Sequence, residues 1–257
     1  MEHTTDKKSA LNQGVTIFIY LAVLTLLEYG LAIALPAVPL LVVVALIKAG
    51  LVAYYYMHIY KLNQDDHGAG HDSYAYKEGT SRIGLWLFLL SDSFVFAGLL
   101  VSRFNLLGLD RPHLNQFLGL IVTSVLLVSS FFMNRAETSI AHGDVKGFLN
   151  GTMITMILGL IFVVGVVGGE WQLAKLEDVI ANKDVFGGVF YMMTGMHAFH
   201  VLTGLIFLFI VWKNGRKGYY TAEQHWGVEA AAVYWHFVDL VWIFFYPALY
   251  LIGTIAK

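Results

Sequence analysis

The chain has 257 residues, of which 58% are hydrophobic and only 13% charged, about half the charged share of a typical soluble domain. A water-soluble globule of this size needs more charged surface than that, so the bilayer is the expected solvent and soluble enzyme folds are excluded. Sixteen Lys and Arg against eighteen Asp and Glu, with no polybasic run, argue against a nucleic-acid partner, and the absence of cysteine excludes disulfides, thiolate clusters, Cys-ligated haem and the usual dinuclear copper centre.

Apolar stretches predict seven spans, at 15–35, 37–60, 83–103, 115–134, 147–168, 186–212 and 229–254. At about 21 residues each they take up about 147 positions and leave about 110 for loops and termini, too few for a large extramembrane domain. The expected fold is therefore an all-α polytopic membrane protein, and its function must sit within the helices. The first span lacks an A-x-A cleavage site and is read as a retained helix. A two-helix hairpin (1–61) is separated by a polar linker (62–81) from a five-helix bundle (82–257). The linker carries His67 and His71 near Asp65, Asp66 and Asp72, a set with metal-ligand chemistry that its composition reads more simply as a solvated connection. Lys and Arg divide ten against five on alternate sides, with Lys48 left inside the membrane. The positive-inside rule then places the amino terminus in the cytoplasm and the carboxyl terminus outside.

Ionisable side chains within the spans carry the functional information, because each one costs ~2.5–3.5 kcal/mol at the bilayer centre and must face protein, a partner or water. Glu28 lies eight residues before Pro36 and Lys48 nine after Pro39, so both sit about 12–14 Å from the same turn and can meet. Such a pair is either a relay acid beside a cation or a buried ion pair locking the hairpin, the latter being the simpler reading. Asp92 falls about 14 Å into the third span, near its middle, with no cation within one helical turn. It is expected to be a hydrogen-bonding carboxyl or a proton-accepting group next to water. His197 and His200 stand three residues apart in the sixth span, and Glu229, His236 and Asp239 form a stripe in the seventh. Three histidines and two carboxylates could ligate iron, copper or zinc. No H-E-x-x-H or similar set appears, which favours a hydrogen-bonded polar seam between helices.

The segments GLWLFLLSD at 84–92, YMMTGMHAFHVLTG at 191–204 and HWGVEAAAVYWHFVDLVWIFFYPALYLIG at 225–253 resemble, in order and helix spacing, subunit three of the haem–copper terminal oxidases. ALIKAGLVAYYYMHI at 45–59 is similar to the small fourth subunit of bacterial oxidases, which suggests a fusion of subunits four and three. The resemblance implies a non-redox accessory subunit of a proton-pumping oxygen reductase in the bacterial cytoplasmic membrane. Such a chain holds no cofactor of its own, while haem and copper belong to partner subunits. Its partners would be the catalytic subunit one, the other oxidase subunits and, where one forms, a respiratory supercomplex. Structural phospholipids would occupy a cleft beside spans one and two.

By the same resemblance Asp92 stands where most relatives carry a membrane Glu and becomes the proton-linked carboxyl. His197, His200, Glu229, His236 and Asp239 fall to the interhelical polar network. A similar Asp occurs in some quinol-oxidising relatives, so the electron donor stays open. Val233, Ala198 and Phe199 depart from the family's usual residues. The rival expectations are an accessory protein of a quinol oxidase or nitric oxide reductase, an independent metalloenzyme using His197, His200 and His236, and a transporter. The last is disfavoured by the lack of paired interrupted helices.

Overall fold

The computed structural model describes residues 2–34, 37–63, 73–111, 114–177, 179–181 and 183–255; the linker histidines and aspartates at 65–72 lie outside them. Seven helices among these residues are long and apolar enough to cross a membrane. The first span is α1 (Glu2–Ala34), and the second is α2 (Val38–Leu51), which loosens into a π turn over Val52–Tyr56. The third and fourth are α3 (Tyr74–Leu107) and α4 (Gln116–Ala141). The fifth joins α5 (Val145–Val163), a π segment (Val164–Glu170) and α6 (Trp171–Leu176). The last two are α7 (Val185–Arg216) and α8 (Trp226–Tyr246), the latter ending in a π turn over Pro247–Leu251. Outside the helices, a two-residue parallel pair joins β1 (Asp110–Arg111) to β2 (Thr254–Ile255).

Helix ends follow local chemistry. Ser73, Asn115, Asp144 and Asp184 each accept a backbone N–H from the first turn of α3, α4, α5 and α7, satisfying donors a helix terminus leaves free. Between α4 and α5, Gly143 adopts a φ of 76°. The Asp144 N–H then reaches back to the Ser139 carbonyl at 2.9 Å, and that of Gly143 to Ile140 at 2.9 Å. This is a Schellman ending, for which a residue without a Cβ is preferred. Asp144 thus closes one helix, opens the next, and pairs with Lys7 of α1 at 2.7 Å.

Several helices outrun the sequence-drawn spans. Helix α3 begins at Tyr74, so the last part of the expected linker is already helical, and α4 continues seven residues past 134. The fifth span runs on to Leu176. A helix has no reason to stop at the membrane surface when caps and tertiary partners continue beyond it.

The seventh span is the axis: 83% of its apolar window is buried, against 11% for α3. Helices α2, α3, α4 and α7 all pack on α8, while α1 lies against α2 and α4. The hairpin is therefore built into the bundle through α4 and α8. Small residues admit the large side chains of α8. Trp235 sits between Gly159 and Gly204 and donates its indole N–H to Ser129 Oγ at 3.1 Å. Trp242 donates to Thr123 Oγ1 at 2.9 Å. Lipid tails are as apolar as leucine, so this close packing and these hydrogen bonds hold the helices together.

A Cβ at Gly159 would run into the Trp235 ring, whereas nothing lies within 4 Å of one at Gly98. Gly159→Leu should cost about 1–3 kcal/mol, and Gly98→Ala should be neutral or stabilise by up to about 1 kcal/mol. Thermal denaturation of the two variants in detergent checks the contrast: a lower midpoint for the first only.

Candidate functional site: buried ionisable clusters

The ionisable side chains of the spans gather in four places. At the edge of the bundle, Asp92 of α3 faces His200 of α7, with Oδ1 and Nε2 3.3 Å apart. Both side chains retain slight exposure, 13% and 12%. His200 Nδ1 lies 2.8 Å from the Met196 carbonyl, an acceptor only, so that nitrogen carries a hydrogen. One further proton must then sit between Nε2 and the carboxyl, on the imidazole or on the acid, for the two atoms to attract. Phe96 packs edge-on to the imidazole at 4.7 Å between ring centres. The pair is a carboxyl–imidazole contact at the rim.

The second cluster lies at the Lys7 end of the bundle. Glu229, in the first turn of α8, receives Lys61 at 3.0 Å and Arg82 at 3.4 Å. Arg82 also holds Glu78 at 2.5 Å and lies 5.4 Å above the Trp226 ring. The pairing joins the end of the hairpin, the start of α3 and the start of α8 around one carboxylate. His58 sits beside it in the left-handed region, φ 52°, with Nδ1 3.7 Å from Glu137 of α4. Burial, then the Lys61 cation, lower the His58 pKa to about 4 against the opposing pull of Glu229, so its imidazole is neutral at pH 7. At the same end, the Lys7 ammonium, followed by the Gly147 N–H, holds the Asp144 carboxyl below its ordinary value.

The third cluster is central. Lys48 of α2 forms an ion pair with Glu28 of α1, both essentially without solvent exposure. Asp239 of α8 lies within electrostatic range of the same ammonium, with Ser130 of α4 beside it. One turn away, His236 packs its ring 5.0 Å from that of Tyr56. The fourth cluster lies toward the opposite end, where Tyr250 donates to Glu170 at 2.5 Å. Arg103 is fully buried there without a carboxylate among its bonded partners. It donates instead to the carbonyls of Ala248, Gly108, Asp110 and Ile252. Arg111 and Gln116 do likewise to Gly253 and Tyr250.

The sequence-predicted residues are thus placed separately. Glu28 meets Lys48, and Asp239 joins them; Asp92 finds His200; Glu229 takes two cations from other spans. His197 turns inward alone, donating from Nε2 to the Val238 carbonyl at 3.0 Å among Phe162 and Trp242. The three histidines do not converge, and among the described residues no three His, Asp or Glu side chains gather as a metal site requires. The metalloenzyme expectation therefore lacks its ligand set. Sequence reasoning missed Glu137, Glu170 and Arg103 as buried participants. The first two fell beyond spans drawn at a standard length, and the third read as an interfacial charge.

A seven-span helical bundle whose buried acids and bases are paired internally defines a multi-pass membrane protein. The family described as Cytochrome c oxidase subunit III matches residues 16–254, a stretch that takes in the hairpin as well as the five later spans. Cytochrome c oxidase subunit 3 of Thermostichus vulcanus is 34% identical over 177 residues, 66% of this chain and 86% of that protein. The horse (Equus caballus) protein of the same name is 32% identical over 198 residues, 72% and 74% of the two chains, and that of Synechocystis sp. 32% over 177, 66% and 74%. The chain belongs to the cytochrome c oxidase subunit III family.

An imidazole that the fold keeps at about 4, against about 6.5 when released, binds its proton later than the unfolded chain does. Between those values the unfolded state holds more protons, so lowering the pH from 7 to 4 destabilises the fold. The loss expected from His58 is roughly 2 kcal/mol after allowance for its partial exposure. Thermal midpoints measured across this range should fall for the natural chain and fall less for His58→Asn; identical slopes would remove the assignment.

Proposed function

We propose that this chain is the accessory, non-redox subunit of a haem–copper oxygen reductase of the cytochrome c oxidase type. It packs against the catalytic subunit one and other oxidase subunits and sustains their proton uptake during aerobic respiration. Haem and copper belong to those partners. The observation that carries the reading is the family match over almost the whole chain, and the relatives' names favour cytochrome c over quinol as the donor. The seven spans and the Lys and Arg bias support a bacterial cytoplasmic membrane location with the amino terminus inside.

The residue assigned to proton uptake is Asp92. It lies on the least buried span, and with His200 it holds a proton at the rim, where exchange with a neighbouring subunit or with water is open to it. A groove of about 280 Å³ between α3 and α8, lined by Phe94, Ala97, Leu100, Phe237, Leu240 and Phe244, is suited to an acyl chain. Structural phospholipid belongs to the reading, with this groove a second place for an acyl chain besides the cleft expected beside spans one and two.

Blue-native electrophoresis with mass spectrometry tests the assembly: this chain should migrate with a haem-bearing subunit, and its recovery apart from any such subunit would overturn the proposal. Asp92→Ala should leave assembly intact while slowing proton-coupled turnover severalfold or shortening the enzyme's working life. Unchanged activity over many turnovers would reduce Asp92 to packing.

A further inference from the structure

Around the Glu28–Lys48 pair, the interior holds more polar atoms than it satisfies. Glu28 Oε1, Asp239 Oδ2, Tyr246 Oη and both ring nitrogens of His236 have no hydrogen-bond partner among the described residues. Their residues are all at most 2% exposed. Buried polar groups are almost always satisfied, and where protein does not supply the partner an ordered water does. They come from α1 and α8, with Ser130 of α4 beside Asp239; Asp239 is in electrostatic range of the Lys48 ammonium and Tyr246 of Glu28, so the polar interior is shared between spans.

The charges there do not balance. Glu28 and Asp239 together carry two carboxyls, and among the described residues Lys48 is the cation that pairs with the first and lies within electrostatic range of the second. The other groups facing them are Tyr56 from the π turn, Ser130 from α4, and His236 and Tyr246 from α8, none of which brings a second fixed charge. In a low-dielectric interior an uncompensated charge is the expensive state. The neutral arrangement is one ammonium, one carboxylate and one carboxylic acid.

We propose that the Glu28–Lys48–Asp239 trio is a proton-binding site inside this subunit, holding one exchangeable proton shared between two carboxyls and the waters that bond them. The proton arrives from water as hydronium and leaves to water. No bond other than O–H is made or broken. Its route runs toward the Lys7 end. Tyr56 and His236 stand between the trio and His58, which is in electrostatic range of His236 and borders the Lys61–Glu229–Arg82 cluster. Toward the opposite end Tyr246 is in electrostatic range of Glu170, and Arg103 and Arg111 are fixed on backbone carbonyls with Asp110 in electrostatic range of Arg103.

Infrared absorption of protonated carboxyls in the purified complex counts these protons. Each acid variant leaves one carboxylate facing the lysine, so Glu28→Gln and Asp239→Asn should each remove one carboxylic acid from the wild-type spectrum. Lys48→Met removes the cation and should raise the trio's contribution from one acid to two. The wild-type band should shift on equilibration in D₂O. A band untouched by Glu28→Gln, or not increased by Lys48→Met, overturns the sharing; a band that never shifts in D₂O overturns the exchange. If single variants fail to assemble, the Glu28→Gln/Lys48→Met double variant leaves Asp239 alone and neutral. It should then show the wild-type amplitude, and loss of the band there overturns the proposal equally.

Discussion

Inside the hydrocarbon no water is available to complete a polar group, so any side chain that enters with a charge must find its partner on another part of the protein. In this chain that requirement falls chiefly on α8. Glu229 is answered by Lys61 and Arg82, and Tyr250 by Glu170, while Asp239 lies in electrostatic range of Lys48 and His236 against the ring of Tyr56. These partners come from the second, third and fifth spans and the segment that follows the second. Since the seventh span is buried over most of its length, its neighbours can satisfy these groups only by arriving at particular rotations and depths. Apolar contact cannot impose that choice, because lipid competes for it on equal terms. The polar pairs fix the register, and the tryptophans seated on glycines and hydroxyls then exploit it through close packing.

The two ends of the bundle meet the requirement differently. At the Lys7 end, cations neutralise carboxylates contributed by separate helices: Lys7 with Asp144, and Lys61 and Arg82 with Glu229. At the opposite end the guanidinium groups of Arg103 and Arg111 bind carbonyls that the π turn of α8 and the loop after α3 leave available. A π turn releases carbonyls from the regular ladder, and an arginine can collect several of them with its fixed fork of donors. One end is held by salt bridges that tie α1 to the start of α5, and the end of the hairpin and α3 to α8. The other is tied by a net of backbone acceptors that closes the segment after α8 onto α3.

Depth was legible from the sequence where two residues could be measured from a common turn. Glu28 and Lys48, eight and nine residues from their prolines, do meet. The spans themselves were legible because uninterrupted apolar runs of this length have few other uses. Partners across the bundle were not: His200 stands 108 positions from Asp92, and nothing local to either residue names the other. The i, i+3 spacing of His197 and His200 suggests a common target, yet α8 takes one ring and α3 the other, because an angular offset of about 60° is enough to point them at different neighbours. Glu137 and Glu170 were hidden for another reason. Their helices continue past the hydrocarbon thickness, so residues assigned to loops by length are buried against other spans.

Two acids drawn near mid-membrane are therefore offered different chemistry by where their helices stand. Asp92 belongs to the span with the smallest buried share, keeps a little exposure and faces a histidine at the rim. Asp239 belongs to the most buried span, against which α2 and α4 pack, and lies in electrostatic range of this chain's own Lys48. A neighbour that docks on α3 can reach the first without touching the second. The two carboxyls thus face different surroundings, one the rim of the bundle and the other the interior of this chain's own fold. The Lys48 ammonium, held on the hairpin rather than on the bundle that Asp239 serves, joins the two parts of the chain electrostatically at mid-depth, as Lys7–Asp144 and Lys61–Glu229 do at one end.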